Sequence, residues 1–97
     1  MRRLLVRYKV KKDRVRENER LIKAAFREMK RKKVKGLRYG AFKLDDGQSF
    51  VHIVEMAGRG NPLAKVAAFQ KFAGTIRERC VVKPSFASLT EVGSYDF

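Results

Sequence analysis

A chain of 97 residues is enough for one domain. At that size folding buries only about 60–65% of the surface the unfolded chain exposes, so such a domain gains from a partner. A hydrophobic content of 44% and a charged content of 35% exclude a disordered chain. No apolar run approaches the roughly 20 residues of a membrane span. Leu4 to Val10 is interrupted by Arg7 and Lys9, unlike a signal peptide. The lone cysteine, Cys80, excludes an intrachain disulfide and suits a reducing, cytoplasmic setting. The net charge of +14 is uneven. Met1–Gly36 holds 16 Lys/Arg against 4 Asp/Glu, and Leu37–Phe97 holds 8 against 6. Such clustering suits a nucleic-acid binder, and equally a solvated helix face that keeps a small protein soluble.

In chain order, Arg3–Val10 alternates with period two, Leu4, Val6, Tyr8 and Val10 on one face, and predicts a strand. Asp13 is placed to cap a helix over Arg14 to about Lys33. Val15, Asn18, Ile22, Ala25, Phe26 and Met29 form its apolar stripe, Leu21 lies at the margin, and Glu19 can pair with Lys23. Gly36 is the expected stop. Strands near Leu37–Leu44 and Gln48–Ala57 flank Asp45-Asp46-Gly47, a hairpin signal resting on tolerance of positive φ. Asn61-Pro62 opens a second helix with a cap and a proline at its first position. Its stripe is Leu63, Val66, Phe69, Ala73, Ile76 and Cys80, with Phe72 beside it. Pro84 marks the start of a last strand, Ser85 to about Val92, and the tail ends in two aromatics.

The order β-α-β-β-α-β with right-handed crossovers predicts an α+β, ferredoxin-like fold over residues 1–97. Its four-stranded antiparallel sheet has the first and third strands central and both helices on one face. The other face should be polar in a monomer. Yet the third strand carries Phe50, Val54 and Met56 in one phase and Val51 and Ile53 in the other. An apolar open face predicts a homodimer packed sheet to sheet, with the aromatic tail reaching across.

Several residues are candidates for chemistry. His52 is the only histidine and can act as a general base on a phenol or an acidic C–H; a satisfied histidine lining the interior is the plainer account. Arg7, Arg38, Tyr39 and Glu55 are polar groups on strands of a two-sided apolar sheet. They suit either an Arg7–Glu55 ion pair or a site where Arg7 or Arg38 binds an anionic ligand group and Tyr39 offers a hydroxyl. Cys80 reads as a buried helix cysteine. One His and one Cys, with no H-x-x-x-H or C-x-x-C, supply no metal site, and Gly58-Arg59-Gly60 is no phosphate loop. Of the RNA-recognition signature on a third strand, Gly47, Phe50 and Val51 are present, while the basic first position and two stacking aromatics are missing.

The segments LVRYKVK, ENERLI, GLRYGAFKLDDGQSFVHIVE, NPLAKVAAFQKF and EVGSY together resemble the dimeric α/β-barrel superfamily. Within it they are most similar to the small antibiotic-biosynthesis-monooxygenase-like domains. The resemblance implies a dimer whose two sheets form a barrel, with a ligand cavity and no cofactor. It also implies a range of activities, from cofactor-independent oxygenases and haem-degrading enzymes to lactone isomerases and ligand sensors. Haem-degrading relatives use a histidine on the second helix, and Pro62–Cys80 has none. They and the polyketide oxygenases rely on tryptophan, which this chain lacks. The expectation is a homodimer binding a small, partly apolar or anionic molecule near His52 and Tyr39. The alternatives are a nucleic-acid binder using the first helix and a structural or regulatory dimer without ligand.

Overall fold

The computed structural model describes all 97 residues, Met1–Phe97. The alternating segment forms strand β1 (Arg2–Val10), and the long stripe forms helix α1 (Val15–Lys32). The hairpin strands are β2 (Leu37–Lys43) and β3 (Ser49–Met56), and the chain closes with α2 (Ala67–Gly74), α3 (Ile76–Arg79) and β4 (Cys80–Ser88). The sheet is antiparallel in the order β2-β3-β1-β4, so β1 and β3 are central, as the connection rules require. In register, Val6 stands opposite His52, Tyr8 opposite Phe50, and Tyr39 opposite Val54. These side chains share the helix-covered face. One core cluster gathers Tyr8, Val10, Phe50, Phe72 and Cys80; the other gathers Ala25, Met29, Val54, Leu63 and Val66.

Four local expectations need correction. Asp13 does not cap α1: Lys12–Arg14 forms a single 3-10 turn, and Arg14, at the N-cap position before Val15, makes no side-chain cap bond. Its end is turned by Lys33 at φ +50°, before Gly36 is reached, its N–H bonding back to the last turn. Glu19 reaches across to Lys43 on β2 at 3.2 Å in place of the helix pair with Lys23. In the hairpin turn only Gly47 has positive φ, +75°. Asp46 works through its carboxylate, which accepts from Gln48 N, Ser49 N and Ser49 Oγ at 2.6–2.9 Å. Those bonds draw its carboxyl down to about 2.

The second helix departs furthest from the expected pattern. Asn61 does cap, its Oδ1 accepting from Leu63 N at 3.0 Å, but the turn it caps is 3-10 and ends at Lys65. Val66, in an extended conformation, breaks the path. Helix α2 then starts under the Glu28 carboxylate of α1, which accepts from Ala68 N at 2.8 Å and Ala67 N at 3.2 Å. Together with Lys32 at 2.7 Å these donors hold the Glu28 carboxyl near 2. Gly74 and Thr75 end α2, Gly by its helix-breaking freedom and Thr75 at φ −116°. The break carries Phe72 into the core and turns Arg79 inward. The strand predicted from Ser85 begins already at Cys80, with Pro84 inside it beside an irregular register against β1. An edge strand tolerates that proline because nothing pairs with its outer side. Cys80 is buried, and burial pushes its thiol up, away from a reactive thiolate.

Candidate functional site

His52 projects from the middle of β3 toward the helices and is almost fully buried. A central strand buried on this face admits a histidine only if both ring nitrogens are satisfied. They are: Nε2 lies 2.8 Å from Tyr8 Oη on β1, and Nδ1 lies 2.7 Å from Tyr39 Oη on β2. No carboxylate joins them. The ring also stacks on Phe72, centroids 5.4 Å apart. Burial lowers the His52 pKa from 6.5 to about 4, so the ring is neutral at pH 7. Burial likewise raises both tyrosine hydroxyls above their ordinary value.

The network runs further inward. Asn18 Nδ2 donates to Tyr8 Oη at 2.9 Å, and Arg79 Nε donates to Asn18 Oδ1 at 2.9 Å. The rest of the Arg79 guanidinium donates to Thr75 Oγ1 at 2.6 Å and to the Phe72 carbonyl at 3.0 Å, over the Phe72 ring. Asn18 and Arg79 have no exposed surface. Five side chains from β1, α1, β2, β3 and α3 thus form one continuous chain, Arg79–Asn18–Tyr8–His52–Tyr39, buried throughout except at the half-buried Tyr39.

This chain ends at a cavity of about 250 Å³ between the sheet and α2. Its walls are mostly apolar, from Leu4, Val6, Leu63, Phe69, Ile76 and Phe86, and its polar end is His52 with the two tyrosines. An apolar cavity of about 150 Å³ already holds benzene, so this one suits a molecule of one or a few rings. Among the side chains no group of three His, Cys, Asp or Glu is placed to hold a metal ion.

The five residues singled out in the sequence fall on two sides of the sheet. His52 and Tyr39 meet in the cavity. Glu55, Arg38 and Arg7 lie on the opposite, open face. The expected Arg7–Glu55 pair does not form, because register places Arg3 opposite Glu55 and Arg7 opposite Val51. Glu55 instead pairs with Arg3 at 2.7 Å and stands 3.3 Å from Arg38, its carboxyl held low chiefly by the Arg3 hydrogen bond. Arg38 and Glu55 border a hollow of about 280 Å³ with Phe97 of the tail, away from His52. Phe50, retained from the RNA-binding signature, is buried on Tyr8 with centroids 5.5 Å apart, so no base can stack on it.

Sequence reasoning missed Tyr8, Asn18 and Arg79 as members of the site. Tyr8 and Asn18 belong to apolar stripes, where a polar tip on an otherwise apolar face is the available signal. Arg79 follows Phe72 and Ile76 at helical spacing of four and three, which puts it on the inward side; its charge concealed it.

The backbone path decides what the chain is similar to. Solved structures that match it include an antibiotic biosynthesis monooxygenase (TM-score 0.77, 14% identity, covering 96% of this chain and 100% of that one). Another is Rv0793 from Mycobacterium tuberculosis (TM-score 0.73, 14% identity, 96% of each chain). A variant of SnoaB, a cofactor-independent oxygenase from Streptomyces nogalater, matches with TM-score 0.70 and 16% identity over 99% of this chain and 97% of that one. This chain has the antibiotic-biosynthesis-monooxygenase-like fold. No family model and no curated protein matches its sequence. The monooxygenase-like fold is therefore carried by its α+β topology at identities where side chains have diverged, and the cavity residues must be judged by their own geometry. Within that fold no helix is long and apolar enough to cross a membrane.

Proposed function

We propose that the chain is a homodimeric protein that binds a small, largely apolar molecule in the cavity under α2 and oxidises it without a cofactor. The observation that carries this reading is a buried imidazole, held by two tyrosine hydroxyls, at the polar end of an apolar cavity. Such a combination is the usual make-up of a small-molecule site: apolar walls for affinity and a few fixed polar groups for orientation. The fold likeness to a cofactor-independent oxygenase supports the reaction class. In that class the oxidant is O₂. An activated methylene carbon loses two hydrogens and gains one oxygen atom, and the second oxygen atom leaves as water. His52 with a pKa near 4 is a weak base and both its ring nitrogens are taken by the tyrosines, so its part in the reaction is to orient Tyr39, whose hydroxyl holds the ligand's oxygen.

The reaction is tested by O₂ uptake with anthrone, a tricyclic ketone with an acidic methylene. Wild type should accelerate uptake over the uncatalysed rate, and Tyr39→Phe and His52→Ala should lower the rate by about 10²-fold. No acceleration by wild type would remove the oxygenase reading.

Dimerisation is supported by the open face. Leu5, Val51, Ile53 and Phe42 occupy it, and Phe42 is 58% exposed. The tail returns over this face, where Glu91 lies 3.5 Å from Arg3 and Phe97 borders a hollow with Arg38 and Ile53. Its Tyr95 and Phe97 remain 94% and 80% exposed, which suits insertion against a second sheet. Light scattering should give twice the 11.2 kDa chain mass, and Ile53→Lys should give monomer by placing a charge in the interface. A wild-type monomer would overturn this part.

A second reading rests on a separate observation. Arg16, Arg20, Lys23, Arg27, Lys30 and Arg31 are exposed along α1 and none is in an ion pair. They span about 22 Å of helix, a row suited to nucleic-acid phosphates. Binding of a DNA duplex that weakens steeply with salt would favour it, and a flat salt dependence would end it.

A further inference from the structure

The buried hydrogen-bond chain has a direction, and one residue sets it. Arginine can only donate. Arg79 Nε–H therefore requires an acceptor, which fixes the Asn18 carbonyl toward Arg79 and its amide N–H toward Tyr8. Tyr8 Oη then accepts from Asn18, and its own proton has one remaining neighbour, His52 Nε2. If Nε2 carried a proton as well, the Tyr8 hydroxyl proton would be buried with nothing to bond, a costly arrangement. Nε2 is thus the acceptor of the ring. A neutral imidazole with a bare Nε2 carries its proton on Nδ1, and that proton goes to Tyr39 Oη. Tyr39 Oη makes no other hydrogen bond within the protein, so its own proton is left for whatever enters the cavity.

We propose that Arg79, acting through Asn18 and Tyr8, locks His52 as the Nδ1–H tautomer and makes Tyr39 a hydroxyl donor facing the cavity, so that the site selects ligands presenting an acceptor oxygen, such as an aromatic ketone. The ligand class rests on the small-molecule reading of the cavity; the tautomer does not. Arg79 is a positioning residue here, since it touches neither ligand nor imidazole. A merely structural arginine would hold α3 against α1 without requiring either tautomer.

The chain's only histidine makes the test direct. In protein labelled with ¹⁵N-histidine, the two ring nitrogens are assigned by their couplings to the carbon-bound ring protons. Wild type at pH 7 should show a protonated Nδ1 and a bare Nε2. Asn18→Asp should reverse the chain: a carboxylate accepts from both Arg79 and Tyr8, Tyr8 Oη then accepts from Nε2–H, and Nδ1 takes the Tyr39 proton. A wild-type Nε2–H tautomer, or an unchanged tautomer in folded Asn18→Asp, overturns the proposal. If that variant fails to fold, the wild-type spectrum alone decides. Titration with acetophenone, which only accepts, and indole, which donates through N–H, reads the ligand class. Wild type should favour acetophenone by about tenfold, the worth of one hydrogen bond, and Asn18→Asp should favour indole. Equal affinity of the two probes for wild type overturns the selectivity. Binding of neither, with the tautomer as expected, overturns the small-molecule reading and the ligand class drawn from it, while the role of Arg79 stands.

Discussion

Tyr8→Ala should lower the unfolding free energy by about 5 kcal/mol and Tyr8→Phe by about 2 kcal/mol. Tyr8 is 1% exposed. Its ring stacks on Phe50 and lies within 6.4 Å of Phe72, so truncation to alanine empties the centre of one core cluster. Large aromatic truncations of this kind cost about 3–5 kcal/mol. The hydroxyl adds a second cost, since its loss strands the Asn18 amide and His52 Nε2 in a dry interior. Tyr8→Phe isolates that second cost and should lower the melting temperature by roughly 10 °C in a domain of this size. Against a total stability of about 5–15 kcal/mol, Tyr8→Ala removes a third or more of what holds the domain folded. Urea unfolding of the two variants checks the division. A neutral Tyr8→Phe would mean that the buried chain contributes nothing net to stability.

Acid should weaken the fold through His52 before it reaches most carboxylates. The folded-state pKa is about 4, against 6.5 for an unperturbed histidine, and the cause is burial. Between those values the unfolded chain binds a proton that the folded chain refuses. Stability is therefore complete above about pH 6.5 and falls as the pH drops toward 4. The loss amounts to about 2 kcal/mol between about pH 7 and pH 5. Tyr8 on β1, Tyr39 on β2 and, beyond Asn18, Arg79 on α3 are the titratable or charged groups around the ring. No carboxylate among them compensates a charged imidazole. Glu28 and Asp46, both drawn down to about 2, act at lower pH and do not blur this window. Urea midpoints of wild type and His52→Gln at the two pH values check the effect: wild type should lose stability and the variant should not. Equal losses, or a histidine titration midpoint near 6.5 by NMR, would show that the ring is more solvated than its 2% exposure implies.

Legibility in the sequence followed the range of the interaction concerned. The alternation of Leu4, Val6, Tyr8 and Val10, the stripe of α1 and Gly47 in the hairpin are local patterns, and each marked its element; Asn61-Pro62 marked only a 3-10 turn ahead of α2. The second helical segment departs from its local pattern where distant groups take over. Glu28 of α1 caps α2 across the fold, and the break at Gly74-Thr75 is stabilised by Arg79 bonding back to Thr75. The Arg7–Glu55 pairing failed for a similar reason. Both residues lie on the strands expected of them, but the register between β1 and β3 decides which arginine meets the carboxylate.

By itself the sequence determined the α+β order of elements, the central place of β1 and β3, and an open sheet face with too many apolar residues. Those follow from periodicity, turn chemistry and the handedness of crossovers, which act over a few residues at a time. It also marked His52, by being the only residue of its kind. Only the tertiary structure decided that His52 faces the helices rather than the open face, that Tyr8 and Tyr39 flank it, and that Arg79 stands at the far end of its hydrogen bonds. Those partners lie 13 to 44 positions from His52, or 61 from one another, and no local pattern links them. What joins them is the requirement that every buried donor and acceptor find a partner, a condition set only when the chain has closed on itself.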